Sequence, residues 1–370
     1  MQSRSENAVD FWRGIALIMI FIDHVPGNFY RDYTLHRVAF CDAAELFVFL
    51  AGWSLSYATG GPMTPHPAGR VVIRLIARAV EIYRAQIVLT AIALAVLAAT
   101  ALVRNDTIFL EWHNAGPAFF DPVRTTLGWV LLTHHLWFFD ILPLYVVLLL
   151  LAPPFVILGR WKPRAALIAS LALYCATLTY NWKLPTWPSD NGWQFNPLAW
   201  QLLLVLGFLG AELKHDTRRS ASFRTIVDWC FPAAWILVAM FAGLTLSGFD
   251  PDPLSVPEPR FFFLIDKTNL SPSRVVCLLA LVVALHPAFS LARDRLGWAG
   301  RWLCSLGRNS LPVFAMGSLL SLVAQLSRFI LGGSLTIDTF TVVFGLLGMG
   351  WTVWFVEWRS RSPSSPLRLS

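Results

Sequence analysis

The chain has 370 residues, 56% of them hydrophobic and 14% charged, with a mean hydropathy of +0.58. Soluble domains carry about 25% charged residues, so a water-soluble globule cannot absorb this much apolar surface. The formal charge of +7 comes with no zinc-ligand or other nucleic-acid motif and with the basic residues set between apolar runs, so nucleic acid is not expected as a partner. Five cysteines, Cys41, Cys175, Cys230, Cys277 and Cys304, lack metal-ligand spacing, and neither a disulfide framework nor a metal site is expected.

Apolar runs about as long as a bilayer-crossing helix, roughly 20 residues, recur between short charged clusters. They are continuous and not alternating, so helices and not a barrel satisfy the backbone in hydrocarbon. In chain order they predict ten spans near 9–29, 43–60, 79–103, 134–158, 165–181, 198–213, 228–248, 274–292, 308–331 and 336–358. The fold expected is all-α: a polytopic integral membrane helical bundle of about ten transmembrane helices, with one transmembrane domain over 1–358 and a short basic tail over 359–370. No small-residue cleavage site follows the polar N-terminal stretch, so the first run is expected to stay as a span.

An even number of spans puts both termini on one side. With the N-terminus in the cytoplasm, the inner connections 70–84, 160–164, 214–224 and 293–308 and the tail from Arg359 are all basic. The outer ones carry Asp32, Asp106, Glu111, Asp121, Asp190, Asp250, Asp252, Glu258 and Asp266. The positive-inside rule then holds for every loop and predicts cytoplasmic termini in a multi-pass protein of the bacterial inner membrane. Trp182, Trp187, Trp193, Trp200, Trp298, Trp302 and Trp358 fall near span ends, where an amphipathic ring suits the headgroups. A Pro-rich stretch, 250–260, reads as an outer loop, and 127–133 as a re-entrant or interfacial segment. The chain shows no internal repeat, which counts against the inverted-repeat design of many secondary transporters.

Charged groups inside spans cost several kcal/mol, about 2.5–3.5 each at a helix centre, so each is a candidate for function. The first span is the richest, with Asp10, Arg13, Asp23 and His24 among Phe, Ile, Leu and Met. On a helix, Arg13 and His24 differ by about 20° in direction and by roughly 16 Å along the axis, and so share a face. In the functional reading Arg13 supports a phosphate-bearing donor, while His24 is a general base for a hydroxyl, oriented by Asp23 or another carboxylate. The plainer reading makes Arg13 a topology signal and His24 a span-end residue in interfacial water. Asp42 and Glu45 open the second span. They either form a capping box or supply the carboxylate that fixes the tautomer of His24.

Arg70, Arg74 and Arg78 recur every four residues at the cytoplasmic mouth of the third span, and Arg84 follows. Their guanidinium groups suit the phosphates of coenzyme A, and positive-inside topology accounts for them equally. Glu81 and Arg84, together with His134, His135 and Asp140, mark the third and fourth spans as lining something polar. Adjacent histidines point about 100° apart on a helix, which argues against zinc. Trp193, Asn196, Trp200, Gln201, Asp266 and Lys267 gather aromatic rings with amides and charges, as a sugar-binding surface requires. Interfacial anchoring is the alternative for the tryptophans, and helix capping for Asn196.

Several of these residues stand in longer motifs. The stretches Asp10-Phe11-Trp12-Arg13-Gly14, Phe21-Ile22-Asp23-His24-Val25-Pro26-Gly27-Asn28 and Asp42-Ala43-Ala44-Glu45, leading into Phe47-Val48-Phe49-Leu50-Ala51-Gly52, closely resemble the OpgC family. So do Ile141-Leu142-Pro143-Leu144-Tyr145, the segment from Trp193 to Leu202, Asp266-Lys267, and Leu306-Gly307-Arg308-Asn309-Ser310-Leu311. The likeness runs in order along nearly the whole chain. It implies a succinyltransferase of osmoregulated periplasmic glucans within the membrane acyltransferase-3 group, whose mark, a basic residue shortly before a histidine, would be Arg13 and His24. It further implies succinyl-CoA or a related acyl-CoA as donor, with no tightly bound cofactor, and a periplasmic glucan as acceptor. Gln86 stands where that pattern has histidine, Ala51 where serine is common, and Cys277 near Arg274 where a histidine is replaced.

The expected function is therefore membrane O-acyltransfer, with His24 as base or acyl relay, Asp23, Asp42 and Glu45 as orienting carboxylates, and Arg13 beside the donor. The rival is a secondary transporter or exporter of a glycan or anion, in which the same charges form a proton relay.

Overall fold

The computed structural model describes residues 7–361 apart from Met63, Asn191 and Arg218, and no strand occurs among the described residues. In chain order the main helices are α1 (Ala8–Asp23), α2 (Ala43–Ala58), α3 (Ala68–Arg104), α4 (Ile141–Trp161), α5 (Pro163–Tyr180), α6 (Pro197–His215), α7 (Ser220–Leu246), α8 (Pro272–Leu285), α9 (Trp298–Arg308), α10 (Ser310–Leu331) and α11 (Leu335–Arg361). Short helical turns fill the connections. Six helices, α3, α4, α6, α7, α10 and α11, are long and apolar enough to cross a membrane, and α2 and α8 are shorter apolar helices. Each expected span has a helix. The other four of the ten fall short: α1 and α2 have 16 residues and α8 14, and α5, at 18, begins with Pro163 and Arg164 and is less apolar.

The boundaries shift for local reasons. Pro26 and Gly27, the latter at φ 74°, follow the first helix, which ends at Asp23. The third runs further than its apolar stretch, from Ala68, so the arginine stripe lies on the helix itself. Residues 134–140, expected within a span, form a turn before α4: Leu132 and Phe138 adopt positive φ of 55° and 70°, which a helix cannot continue through. Near the end of the eighth expected span, α8 stops at Leu285, two residues before Pro287, which has no N–H with which to continue the helical bonds. Within 127–133, residues up to Val130 belong to a short helix, Pro122–Val130. Of the tail, Arg359 and Arg361 close α11, and residues 362–370 lie outside the described residues.

The chain forms two compact units. One joins the N-terminal stretch through Arg31 to the C-terminal stretch from Phe289, and contains α1, α9, α10 and α11. Here α1 lies along α9 at two glycines: a Cβ on Gly14 would overlap the Leu303 carbonyl, and one on Gly307 the carbonyl of Asp10. The other unit, Asp32–Ala288, contains α2 to α8. Its tightest crossing is α2 on α6, where a Cβ on Gly52 would overlap the carbonyl of Leu204 and one on Gly207 that of Phe49. Lipid is as apolar as leucine, so such backbone approach, and not water exclusion, holds helices together in a bilayer.

Because backbone atoms meet at that crossing, Gly207→Val must push α6 off α2. We expect a loss of at least about 1–3 kcal/mol, read as a lower unfolding temperature in detergent. By contrast Gly243→Val, at an α7 position where an added Cβ meets nothing within 4 Å, should leave it within error.

Candidate functional site

In the unit of α1 and α9 to α11, the ionisable residues of α1 fall in two groups. Asp10 belongs to the helix start: the Asn7 side chain accepts from the Asp10 N–H at 2.9 Å and donates to its carboxylate at 2.7 Å. Arg13, Asp23 and His24 are half-buried, and α1 is continuous through Asp23, which keeps Arg13 and His24 on one face. His24 caps the helix, its N–H reaching the Ile20 carbonyl at 3.0 Å, and its own carbonyl accepts from the Gln325 side-chain amide. The chain beyond it is fastened as well. Asn28 Oδ1 accepts from the Tyr30 N–H at 2.8 Å, and the buried Asp338 accepts from the Phe29 N–H at 2.9 Å while pairing with Arg328.

The Asp32–Ala288 unit holds a set of four charges, of which Asp42, Glu45 and Arg274 are buried. Asp42 and Glu45 form a complete capping box at the start of α2: Asp42 accepts from the Ala44 N–H at 2.9 Å, and Glu45 accepts from the Asp42 N–H at 3.0 Å. Both carboxylates also meet cations. Lys267 Nζ lies 2.5 Å from Asp42 Oδ2, and Arg274 reaches the same oxygen at 3.5 Å. Arg274 Nε donates to Glu45 Oε1 at 2.6 Å, and its terminal nitrogen also pairs with that oxygen. Burial alone would raise the Asp42 carboxyl, but Lys267 and then Arg274 outweigh it and hold that acid well below the usual carboxylate range. Glu45 is 0% exposed and Arg274 7%, whereas the Lys267 side chain is 42% exposed. Beside this set the thiols of Cys41 and Cys277 are 3.4 Å apart and free.

Of the residues expected to bind a sugar, three are committed to internal bonds. Trp200 is 0% exposed, and its indole N–H donates to the carbonyls of Lys267 and Thr268 at 3.1 and 3.2 Å. Asn196 caps α6 and donates to Trp182 O and to Asn269 Oδ1. Gln201 exchanges two bonds with Ser170 of α5. These three therefore shape the 266–271 loop and the α5–α6 contact, and offer no free face in this conformation. Asp266 ties the same loop, accepting from the Asn269 N–H at 2.6 Å. Lys267 remains the partly exposed member.

Trp193 is brought to the two histidines. Its ring lies 4.3 Å from that of His135, in a buried polar region with Asn114, Ser189 and Asp140. His134 Nδ1 is 3.1 Å from Ser189 Oγ, and Asn114 donates to His135 O at 3.1 Å. Among the described residues, His134 Nε2, His135 Nε2 and Trp193 Nε1 are buried without a hydrogen-bond partner. The adjoining cavity, about 10 Å³, has room for roughly one water. His135 Nδ1 and Asp140 Oδ1 are 4.0 Å apart, a distance that would suit an ion pair. Burial keeps both neutral instead, pushing the Asp140 acid up to about 8 and the His135 imidazole down to about 4.

On the arginine stripe of α3, Arg74 donates to the Ala58 carbonyl at 2.9 Å and lies 2.7 Å from His66 Nε2. Arg78 pairs with Glu81 at 2.7 Å, and Arg70 and Arg84 are exposed. His66 also lines a cavity of about 580 Å³ with Arg160, Glu212 and Arg219. Arg160 donates to the carbonyls of His66 and Thr59 at 3.2 and 2.5 Å, and Ser56 donates to Glu212 at 2.6 Å. From the sequence, Arg160 is a basic residue of an inner connection and Arg274 the neighbour of a replaced histidine, with no partner evident for either or for Arg328 and Asp338. Each lies within or at the edge of an apolar stretch, where charge is costly, and that was the available signal.

Removing Arg274 strands the buried Glu45. Arg274→Gln should cost about 3–5 kcal/mol, whereas Lys267→Gln, at the exposed end of the set, should cost about 1 kcal/mol or less. Thermal unfolding in detergent would separate the two, and equal losses would show that burial does not govern the set. A pH effect follows at Asp140. Its folded acid lies near 8 against an ordinary 3.8, so its contribution is full below about 3.8 and is lost as pH rises to 8. His135, near 4 against 6.5, contributes fully above 6.5 and opposes that trend at lower pH. Of this pair only Asp140 changes stability between pH 6.5 and 8, so its share should fall over that window by up to about 1.4 kcal/mol per pH unit, and unfolding in detergent should lose that share of its pH dependence in Asp140→Asn.

A protein-family model described as OpgC protein matches residues 5–361, while no curated protein matches the chain. With helices long and apolar enough to cross a bilayer, the chain is a membrane protein of the OpgC family.

Proposed function

We propose that this chain is an acyl-CoA-dependent O-acyltransferase of the bacterial inner membrane, moving an acyl group, succinyl on the family resemblance, from the cytoplasm to hydroxyls of a periplasmic glucan. Membership of the OpgC family supports a transferase. The observation that carries the reading is Arg13 and His24 sharing one face of a largely apolar helix, which also holds Asp10 and Asp23 and whose end is hydrogen-bonded in place. In this proposal the helices at all ten expected spans, every main helix but α9, cross the bilayer, with both termini cytoplasmic.

His24 takes the proton of the acceptor hydroxyl as its oxygen attacks the thioester carbonyl. The tetrahedral intermediate then expels the coenzyme A thiolate, which recovers that proton from the imidazolium, leaving an ester and free coenzyme A. Asp23 is the nearest carboxylate in sequence to orient the ring. Arg13 supports the donor, and Arg70, Arg74, Arg78 and Arg84 are assigned to its phosphates on the match of guanidinium to phosphate. Asp42 and Glu45 keep a supporting role through their ion pairs, and Trp193, Asp266 and Lys267 stand nearest to an acceptor role.

Mass spectrometry of periplasmic glycans tests the reading, comparing cells with the intact protein, with His24→Ala and with none. Acyl additions should appear only with the intact protein and fall by about 100-fold or more with His24→Ala, at equal amounts of inserted protein. Acylation persisting in that variant would remove His24 as base. Glycan uptake into proteoliposomes without acyl-CoA consumption would favour the transporter.

A further inference from the structure

In the Asp32–Ala288 unit, α5, α6, α7 and α8 wall an open groove of about 1480 Å³, with Trp53 of α2 at its side. That exceeds the roughly 300–1,000 Å³ of ordinary small-molecule pockets. Along its length the lining is aliphatic, including Ile168, Leu206, Leu209, Val227, Leu279 and Val283. A nucleotide or sugar would find few partners there. At one end the chemistry changes. Lys162 and Arg164 stand at the start of α5, Lys214 in the last turn of α6, and Arg219 and Arg224 at the start of α7.

All five cations are exposed. Arg219 is 3.5 Å from Asp216, and among the described residues no ion pair engages Lys162, Arg164, Lys214 or Arg224. Lys214 Nζ instead sits 5.6 Å over the Trp53 ring. Asp228 is the acidic group that lines the groove. The unit thus presents a long apolar trough with an uncompensated cationic mouth, which is the complement of an amphiphile with an anionic head. A second observation agrees. Of the 27 residues of α7, only Ala234 and Phe241 are buried, so this helix faces the groove with little protein against it.

We propose that the groove binds an anionic diacyl phospholipid, with its acyl chains along α5 to α8 and its phosphate over Lys162, Arg164, Lys214 and Arg224. Positive-inside topology alone would place cations at these helix ends, but it makes no distinction between headgroups at one site. The bound lipid would pack α7 onto α5 and α6. The groove shares Arg219 with the cavity beside His66 and Arg160, but the proposal does not rest on the acyl-transfer reading.

The test is native mass spectrometry of the full chain in mild detergent, titrated with phosphatidylglycerol or with phosphatidylcholine of the same chains. The intact protein should hold the first at least tenfold more tightly, and the triple variant Arg164→Gln/Lys214→Gln/Arg224→Gln should bring it to the phosphatidylcholine level. Neither coenzyme A nor inorganic phosphate should displace it. In parallel, phosphatidylglycerol with brominated chains should quench tryptophan fluorescence, and Trp53→Phe should remove part of that quenching. Equal binding of the two lipids by the intact protein, a retained preference in the triple variant, or displacement by coenzyme A would overturn the proposal. If the triple variant fails to purify, the intact protein decides: no headgroup preference, or quenching unchanged by Trp53→Phe, overturns it.

Discussion

Glu45 has no exposed surface and stands in the first turn of an apolar helix, so its negative charge is tolerable only if a positive one is buried with it. Arg274 supplies that charge from the start of α8, and this pairing sets the arrangement around it. The first turn of α2 is held to the first turn of α8. Asp42, fixed by the capping box, then draws Lys267 to 2.5 Å, which locates the loop leading into α8. That loop is fastened from its other side by the Trp200 indole and by the Tyr174 hydroxyl on the Leu270 carbonyl at 2.6 Å. Two acids and two bases leave the set neutral. Buried pairs of this kind often add little net stability over apolar packing, whereas breaking one is expensive. Their effect here is to make one mutual placement of α2, α8 and the 266–271 loop much better than its neighbours.

The helical class and the order of elements were legible because hydropathy acts over whole helices and averages out local exceptions. Ends were less legible, since they depend on single residues. Positive φ at Leu132 and Phe138 turned an expected span start into a loop, while Arg70 and Arg74, counted with the inner connection but spaced as a helical stripe, do extend α3, arginine being a good helix former. Asp42 and Glu45 were weighed as either caps or functional carboxylates. The structure joins the capping role to an ion-pair role: one Glu45 oxygen caps the backbone and the other meets Arg274. Arg274, Arg328 and Asp338 gave no sign of their partners although the cost of intramembrane charge applies to each. That cost marks a residue as needing a partner, but partners 229 residues apart, as Glu45 and Arg274 are, leave no spacing to find.

The aromatic and polar residues taken together as a sugar surface show the same limit from another side. Composition groups Trp193 with Trp200, but burial separates them. Trp200 holds a loop through two carbonyls, while Trp193 packs on His135 with its own N–H unpartnered. Helical phase had set His134 and His135 on different faces, yet both lie on a turn, where phase does not apply. What unites His135, Asp140, Ser189 and Asn114 is the meeting of two long connections, before α4 and before α6. A low-dielectric pocket then keeps its acid and its imidazole neutral, where a surface pair would be charged.

The segment after α1 has a different logic. A helix end is normally the least restrained part of a helix, because its last carbonyls lack intrahelical donors. Here the donor for the His24 carbonyl comes from Gln325 of α10, and the Phe29 N–H is taken by Asp338, itself held by Arg328. Both partners lie in apolar helices where an unpaired amide or carboxylate would be costly, so the bonds that satisfy them also immobilise the chain on the C-terminal side of His24. Such backbone bonds are compatible with either reading of His24. General-base catalysis does need such support, because proton transfer depends on the ring being held within hydrogen-bond reach of the hydroxyl. Under the proposed function, the polar residues of α10 and α11 would be positioning residues, acting on His24 through the backbone that carries it.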